Sequence, residues 1–234
     1  MDESTFLPTY TPNLIAIMKF TSKLSLALGA LALASSAVAA PVVHDTVAEF
    51  QPFDTSTQGS GVSAGRSVVG NMFDKNTATM FSLGNGGRLD FLIKPATNAI
   101  TSGTVIELTN RGSGHNESAE FQLGIDGGDW WSVGMLINTN DVGSVNNFGV
   151  IDAILAVADD NTAATRFTLT VNGGSYNSIR LLDTTFSYFQ NTRSEDGFDI
   201  AEFSVTSNPV PEPTSLALLG AGLLGLSVLR RRKN

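Results

Sequence analysis

The chain has 234 residues, 22 acidic against 14 basic, and no cysteine, which excludes disulfides, thiolate metal centres and cysteine nucleophiles. Between residues 40 and 208 there are 19 acids against 8 bases, a net of −11. A body this acidic repels phosphate backbones and anionic lipid, which argues against nucleic-acid binding, and at about 170 residues it is large enough for one domain with its own core.

The first legible element is an address. From Met18 the chain reads MKFTSKLSLALGALALASSAVAAPVV. Lys19 and Lys23 form a basic start, residues 24–33 a short apolar stretch, and Ala37-Val38-Ala39 a small-residue cleavage site. Residues 18–39 are therefore expected to be a signal peptide removed by signal peptidase. Cleavage is expected between Ala39 and Ala40, since a cut after Ala40 would set Pro41 against the scissile bond. Residues 1–17 place Asp2 and Glu3 ahead of the basic start and fit no part of such a signal. Translation is expected to begin at Met18.

Residues 40–208 carry strand-like runs of β-branched and aromatic residues bounded by Gly, Asn and Asp. They fall at 42–50, 78–83, 88–94, 104–109, 119–125, 131–137, 150–157, 166–171, 178–183 and 198–205. Leu89, Phe91 and Ile93 share one face, as do Phe121, Leu123 and Ile125. Asp126-Gly127-Gly128-Asp129 reads as a hairpin turn. With no amphipathic helix between them, about ten short strands predict an all-β domain, an antiparallel β-sandwich or jelly roll.

Several constellations in this body invite a chemical reading. Gly61-Val62-Ser63-Ala64-Gly65 matches G-x-S-x-G, but that motif needs a strand-to-helix turn, and here it reads as a Gly/Ser loop. His44 and His115 are the only histidines and share no metal-ligand spacing. His115, in RGSGHNES, is a loop histidine and a candidate ligand contact. The neighbouring acids Asp126/Asp129, Asp159/Asp160 and Glu195/Asp196 read as turn residues, where Asp bonds the local backbone. Trp130 and Trp131 are adjacent, so a strand would send them to opposite faces, one into the core. The other, taken as Trp131, is a candidate platform for a sugar ring. Asp74, Asn76 and Thr79 can present oxygens from one loop, the donor type calcium takes.

The stretch NMFDKNTATMFSLGNGGRLDFLI, with ESAEFQLGIDGGDWWSVG and DGFDIAEFSV downstream, resembles a discoidin-like (galactose-binding-like) jelly roll. Lys75 and Asn76 depart from that superfamily's Asp-Gly-Asp-x-x-Thr loop. The resemblance implies that a late-strand acid, here Glu202, completes a calcium site with Asp74, Asn76 and Thr79.

The chain ends VPEPTSLALLGAGLLGLSVLRRRKN. Residues 214–229 are an apolar run that as a helix would span roughly 24 Å at about 1.5 Å per residue, a short transmembrane helix for a core of about 30 Å. Arg230, Arg231, Arg232 and Lys233 would stop transfer and stay cytoplasmic. Pro209, Pro211 and Pro213 keep the preceding peptide extended. Val210, Pro211, Glu212 and Pro213, the apolar run and the basic tail together resemble the PEP-CTERM sorting signal, here residues 209–234. The resemblance implies processing by an exosortase, transient anchoring in the inner membrane, and release to the cell surface or beyond. The expected role is a non-enzymatic structural or adhesive protein of the surface or matrix, associated with exopolysaccharide or biofilm. A lectin-like carbohydrate-binding module and a secreted hydrolase using a loop carboxylate, or Ser63 and His115, are the alternatives.

Overall fold

Alternation of apolar and polar side chains along the strands decides the layering, because it gives each sheet one face that must be covered. In the computed structural model, which describes residues 40–53 and 56–209, two six-stranded antiparallel sheets provide that cover for each other. The first contains β1 (Val42–His44), β3 (Phe81–Ser82), β5 (Asn98–Leu108), β9 (Ala153–Asp160), β10 (Ala164–Val171) and β12 (Asp199–Pro209). Its order is β1-β12-β5-β10-β9, with β3 also on β12. The second contains β2 (Phe50–Pro52), β4 (Arg88–Ile93), β6 (Glu117–Ile125), β7 (Gly128–Asn138), β8 (Gly143–Asn147) and β11 (Ser178–Asp183), in the order β2-β4-β11-β6-β7-β8. One helical turn, α1 (Thr185–Tyr188), and three 3-10 turns complete the described elements. The all-β, antiparallel sandwich expected from the sequence is the architecture found.

The core is dominated by aromatic side chains. Phe50 and Phe91 of one sheet, Phe203 of the other and Phe73 of a 3-10 turn stand with ring centroids 5.2–6.2 Å apart. Each fully buried ring contributes roughly 1.5–3 kcal/mol, so this group is a main adhesive between the layers. The face of Leu89, Phe91 and Ile93 is buried, as its alternation requires.

The hairpin turn falls where expected. β6 and β7 pair directly, and Asp126 and Gly127 between them have φ of 50° and 74°. Two consecutive left-handed residues are what a two-residue turn needs to follow the strand twist, and Asp-Gly accepts them. Asn177 fastens the turn, accepting from the Asp126 N–H and donating to its carboxylate, each at 2.8 Å.

Four expectations need correction. The run 42–50 is two strands in different sheets, divided by the 3-10 turn Val47–Glu49, where the Glu49 carboxylate accepts from the N–H groups of Asp45 and Thr46. The run 78–83 shrinks to Phe81–Ser82. Ile125 does not join Phe121 and Leu123 inside; it is exposed, because the strand has already reached its turn. Asp159 and Asp160 end strand β9 rather than forming a turn, and Asp160 pairs with Arg111.

Among the described residues no helix is long and apolar enough to cross a membrane. The expected helix at 214–229, the signal peptide, the 1–17 extension, residues 210–213 and 230–233, Ala37 and Ala39 lie outside the described residues.

Candidate functional site

Strand pairing brings acids from distant parts of the sequence together. β5 ends beside the start of β12, with Glu107 opposite Ile200. Asp199, the first residue of β12, pairs with Ser82 of β3. Glu117 opens β6 in the other sheet. Asp196 lies in the turn before β12, where Gly197 takes φ of 73°. A side chain at Gly197 would also meet Asp183 Oδ1 and the Gly84 carbonyl at 2.8 Å each, so only glycine fits.

Carboxylate oxygens of Glu117, Asp196 and Asp199 lie within 4.8 Å of one another. Glu117 and Asp199 are buried, and 13% of the Asp196 side chain is exposed. Arg66, from the 3-10 turn Ala64–Arg66, covers the group. Its guanidinium pairs with Asp196 and stands 3.6 Å from Asp199 Oδ2, and 41% of the side chain remains exposed. Ser82 Oγ donates to Asp199 Oδ1.

Glu107 lies behind, fully buried. It accepts from Asn138 Nδ2 and from Thr109 Oγ, each at 3.0 Å. Glu117 makes side-chain hydrogen bonds with Ser194 and with Glu107, while its buried Oε2 meets no donor. A buried acceptor left bare costs about 1–3 kcal/mol, more if charged.

The electrostatics follow from this crowding. Burial pushes the Glu107 carboxyl up to about 8 and the Asp199 carboxyl up to about 7, the latter with help from the charge of Asp196. Burial, then the charges of Asp199 and Glu107, hold Glu117 well above the usual carboxylate range. Among the described residues Arg66 is the cation paired with the group, bonded to Asp196, 3.6 Å from Asp199 and within the field of Glu117. At an effective dielectric of about 20, two like charges about 4 Å apart repel by about 4 kcal/mol, so these carboxyls cannot all ionise without a further positive charge.

A cavity of about 80 Å³ opens on the group, lined by Arg66, Leu108, Asn110, His115, Glu117, Asn138 and Asp199. Small-molecule sites run from about 300 Å³. The space is large enough for an ion with a few waters and too small for a sugar ring.

His115 is brought to this cavity beside Glu117. The Asp74 loop lies elsewhere and closes on itself: Asp74 accepts from the Asn76 N–H at 2.8 Å and the Thr79 hydroxyl at 2.6 Å, and Asn76 Oδ1 accepts from the Ala78 N–H at 3.1 Å. Lys75 pairs with Asp45 at 2.7 Å and lies within the field of Glu202 on β12. Trp130 and Trp131 do point to opposite faces, but both are half-buried. Trp131 shares the face of its partner Leu123 and packs edge-to-face on Tyr176 at 5.7 Å, while Trp130 lies 4.0 Å over the Arg180 guanidinium.

Ser63 stands at the N-terminal end of the 3-10 turn that carries Arg66, its carbonyl accepting from the Arg66 N–H and its hydroxyl making no capping bond. His44 is buried, with Nε2 2.7 Å from Ser207 Oγ, and burial lowers its pKa. Sequence reasoning missed Glu107 and Asp199, met Glu117 only as the acid beside His115, and read Asp196 as a turn acid. The available signal was an acid at the start or end of a strand, flanked by residues that must be buried, as in DIAEF.

Residues 209–233 match the PEP-CTERM protein-sorting motif. That match implies export, exosortase as the processing partner, and a surface or extracellular destination after C-terminal processing. No curated protein matches the sequence. Among solved structures, the chain is similar to the C-terminal domain of a chitobiase from Bacteroides fragilis, at 15% identity, over 72% of this chain and 99% of that one, with a TM-score of 0.43. It is also similar to an exo-beta-1,3-galactanase from Phanerochaete chrysosporium solved with beta-1,3-galactotriose, at 10% identity, over 72% of this chain and 29% of that one, with a TM-score of 0.24.

Proposed function

We propose that this chain is an exosortase-processed surface or matrix protein whose β-sandwich serves as a non-catalytic structural or adhesive module associated with exopolysaccharide. One observation carries the reading: β12, which pairs along its length with β5, ends at Pro209, the residue at which the sorting motif begins. Cutting near Val210 to Pro213 would thus release the sandwich with every strand intact.

Cell fractionation with intact-mass measurement tests this. The native chain is expected to yield a surface or released form ending near Pro211–Pro213, and Glu212→Ala to accumulate as uncut, membrane-associated protein. Equal release of both, or a native chain that keeps its basic tail, would contradict the reading. Co-sedimentation of the released form with the host's extracted exopolysaccharide tests the adhesive part.

A further inference from the structure

We propose that Glu117, Asp196 and Asp199 bind one hard divalent cation, calcium before magnesium, which ties one sheet to the other beneath Arg66. Three observations converge. The oxygens of the three residues already lie within 4.8 Å of one another. Glu117 is 4% exposed, lines the cavity, and, beside the hydrogen bonds its carboxyl makes with Ser194 and Glu107, keeps a buried oxygen that meets no donor. The group also has fewer cations than carboxyls, since Arg66 reaches Asp196 and Asp199 from a half-exposed position.

The donor set fixes the class of ion. It is all carboxylate oxygen, and His115 lines the cavity without joining the group. Oxygen-only sets suit calcium, magnesium and manganese rather than zinc or copper. Two strand ends and one turn make an irregular cage, which calcium with its six to eight ligands tolerates and octahedral magnesium does not. Three carboxylates leave several positions open, and about 80 Å³ of adjoining space accommodates the waters that fill them. Glu117 belongs to one sheet and Asp199 to the other, so the ion acts as the interlayer staple that a cysteine-free exported domain otherwise lacks. Arg66 then acts as a rival cation. This proposal stands independently of how the tail is processed.

The test uses the purified full chain, stripped with a chelator and titrated with calcium chloride or magnesium chloride by calorimetry, with thermal unfolding in parallel. One calcium per chain and a raised midpoint are expected. Glu117→Gln and Asp199→Asn should each weaken calcium binding at least about tenfold, since even outer-shell changes cost about 10–100-fold. Asp74→Asn should bind as the native chain does. Arg66→Ala removes the rival and should bind several-fold more tightly, and it decides the matter if the buried variants fail to fold. No response to either ion, a response that survives both Glu117→Gln and Asp199→Asn, a response lost in Asp74→Asn, or unchanged or weaker affinity in Arg66→Ala would overturn the proposal.

Discussion

Two buried acid sites in this sandwich show opposite logic. Asp90 of β4 is fully buried and fully met: Arg180, its register partner on β11, donates Nε and Nη2 to its two oxygens at 2.8 Å each. Arg88 Nε approaches to 3.4 Å, and Trp130 lies over the Arg180 guanidinium. The second site gathers Glu107, Glu117, Asp196 and Asp199; among the described residues Arg66 is the cation paired with it, Glu107 and Glu117 hydrogen-bond to each other, and Glu117 Oε2 meets no donor. In the first, cation and anion sit opposite each other on neighbouring strands, so the sheet itself delivers the neutralising charge. In the second, strand ends and a turn deliver anions only. The first is a finished part of the architecture, and the second is arranged for a charge that comes from solvent.

The largest effect that would break this contrast lies at the finished site. Asp90→Ala leaves the half-buried Arg180 without its fully buried carboxylate and should cost about 3 kcal/mol, read as a lowered midpoint in urea unfolding. A cost below about 1 kcal/mol would mean that Arg180 finds other partners and that the pair is not self-contained.

The unfinished site should instead announce itself through pH. In chelated protein, Glu107 and Asp199 have folded-state values raised to about 8 and about 7. The folded chain therefore holds protons that the unfolded chain releases, and stability falls as pH rises. The contribution is whole below about pH 4 and is lost as pH rises through about 7 to 8, a change on the order of a few kcal/mol. Urea midpoints at pH 5, 7 and 9 check this, and saturating calcium should flatten the decline. Stability that rises over that range in chelator would contradict the account.

The smallest effect sharpens the comparison. Trp130→Ala uncovers Arg180 but leaves its two hydrogen bonds, so it should cost about 1 kcal/mol, the scale of a partly exposed cation–π contact, and leave the pH profile unmoved. Urea unfolding of this variant beside Asp90→Ala separates the cover from the pair.

Much of the fold was legible because it is written locally. Alternation placed β4 and β6, the strand-like run at 178–183 placed β11, and Asp126-Gly127 placed the hairpin that leads into β7. What escaped was written elsewhere. β8, GSVNN, is a polar edge strand with no alternating apolar face, visible only once β7 offers it a partner. The first residues of β5, NAITSG, gain their extended form from pairing with β12 and β10.

The candidate site was less legible. Glu107 and Glu117 are close in sequence but belong to opposite sheets, and Asp199 joins them across more than 80 residues through the β5–β12 pairing. No spacing rule links such positions. His115 was readable as a loop histidine, yet its place at the cavity depends on the same long-range pairing. The tail is the reverse case, since order and end position alone specify the sorting motif.

A crystal structure of the full chain grown in calcium tests the central claim most directly. The account predicts one ion within about 2.3–2.6 Å of oxygens from Glu117 and Asp199, with Arg66 turned away from Asp196 toward solvent. Density showing Glu117 Oε2 still bare, no ion among the three acids, and Arg66 still paired with Asp196 would contradict it.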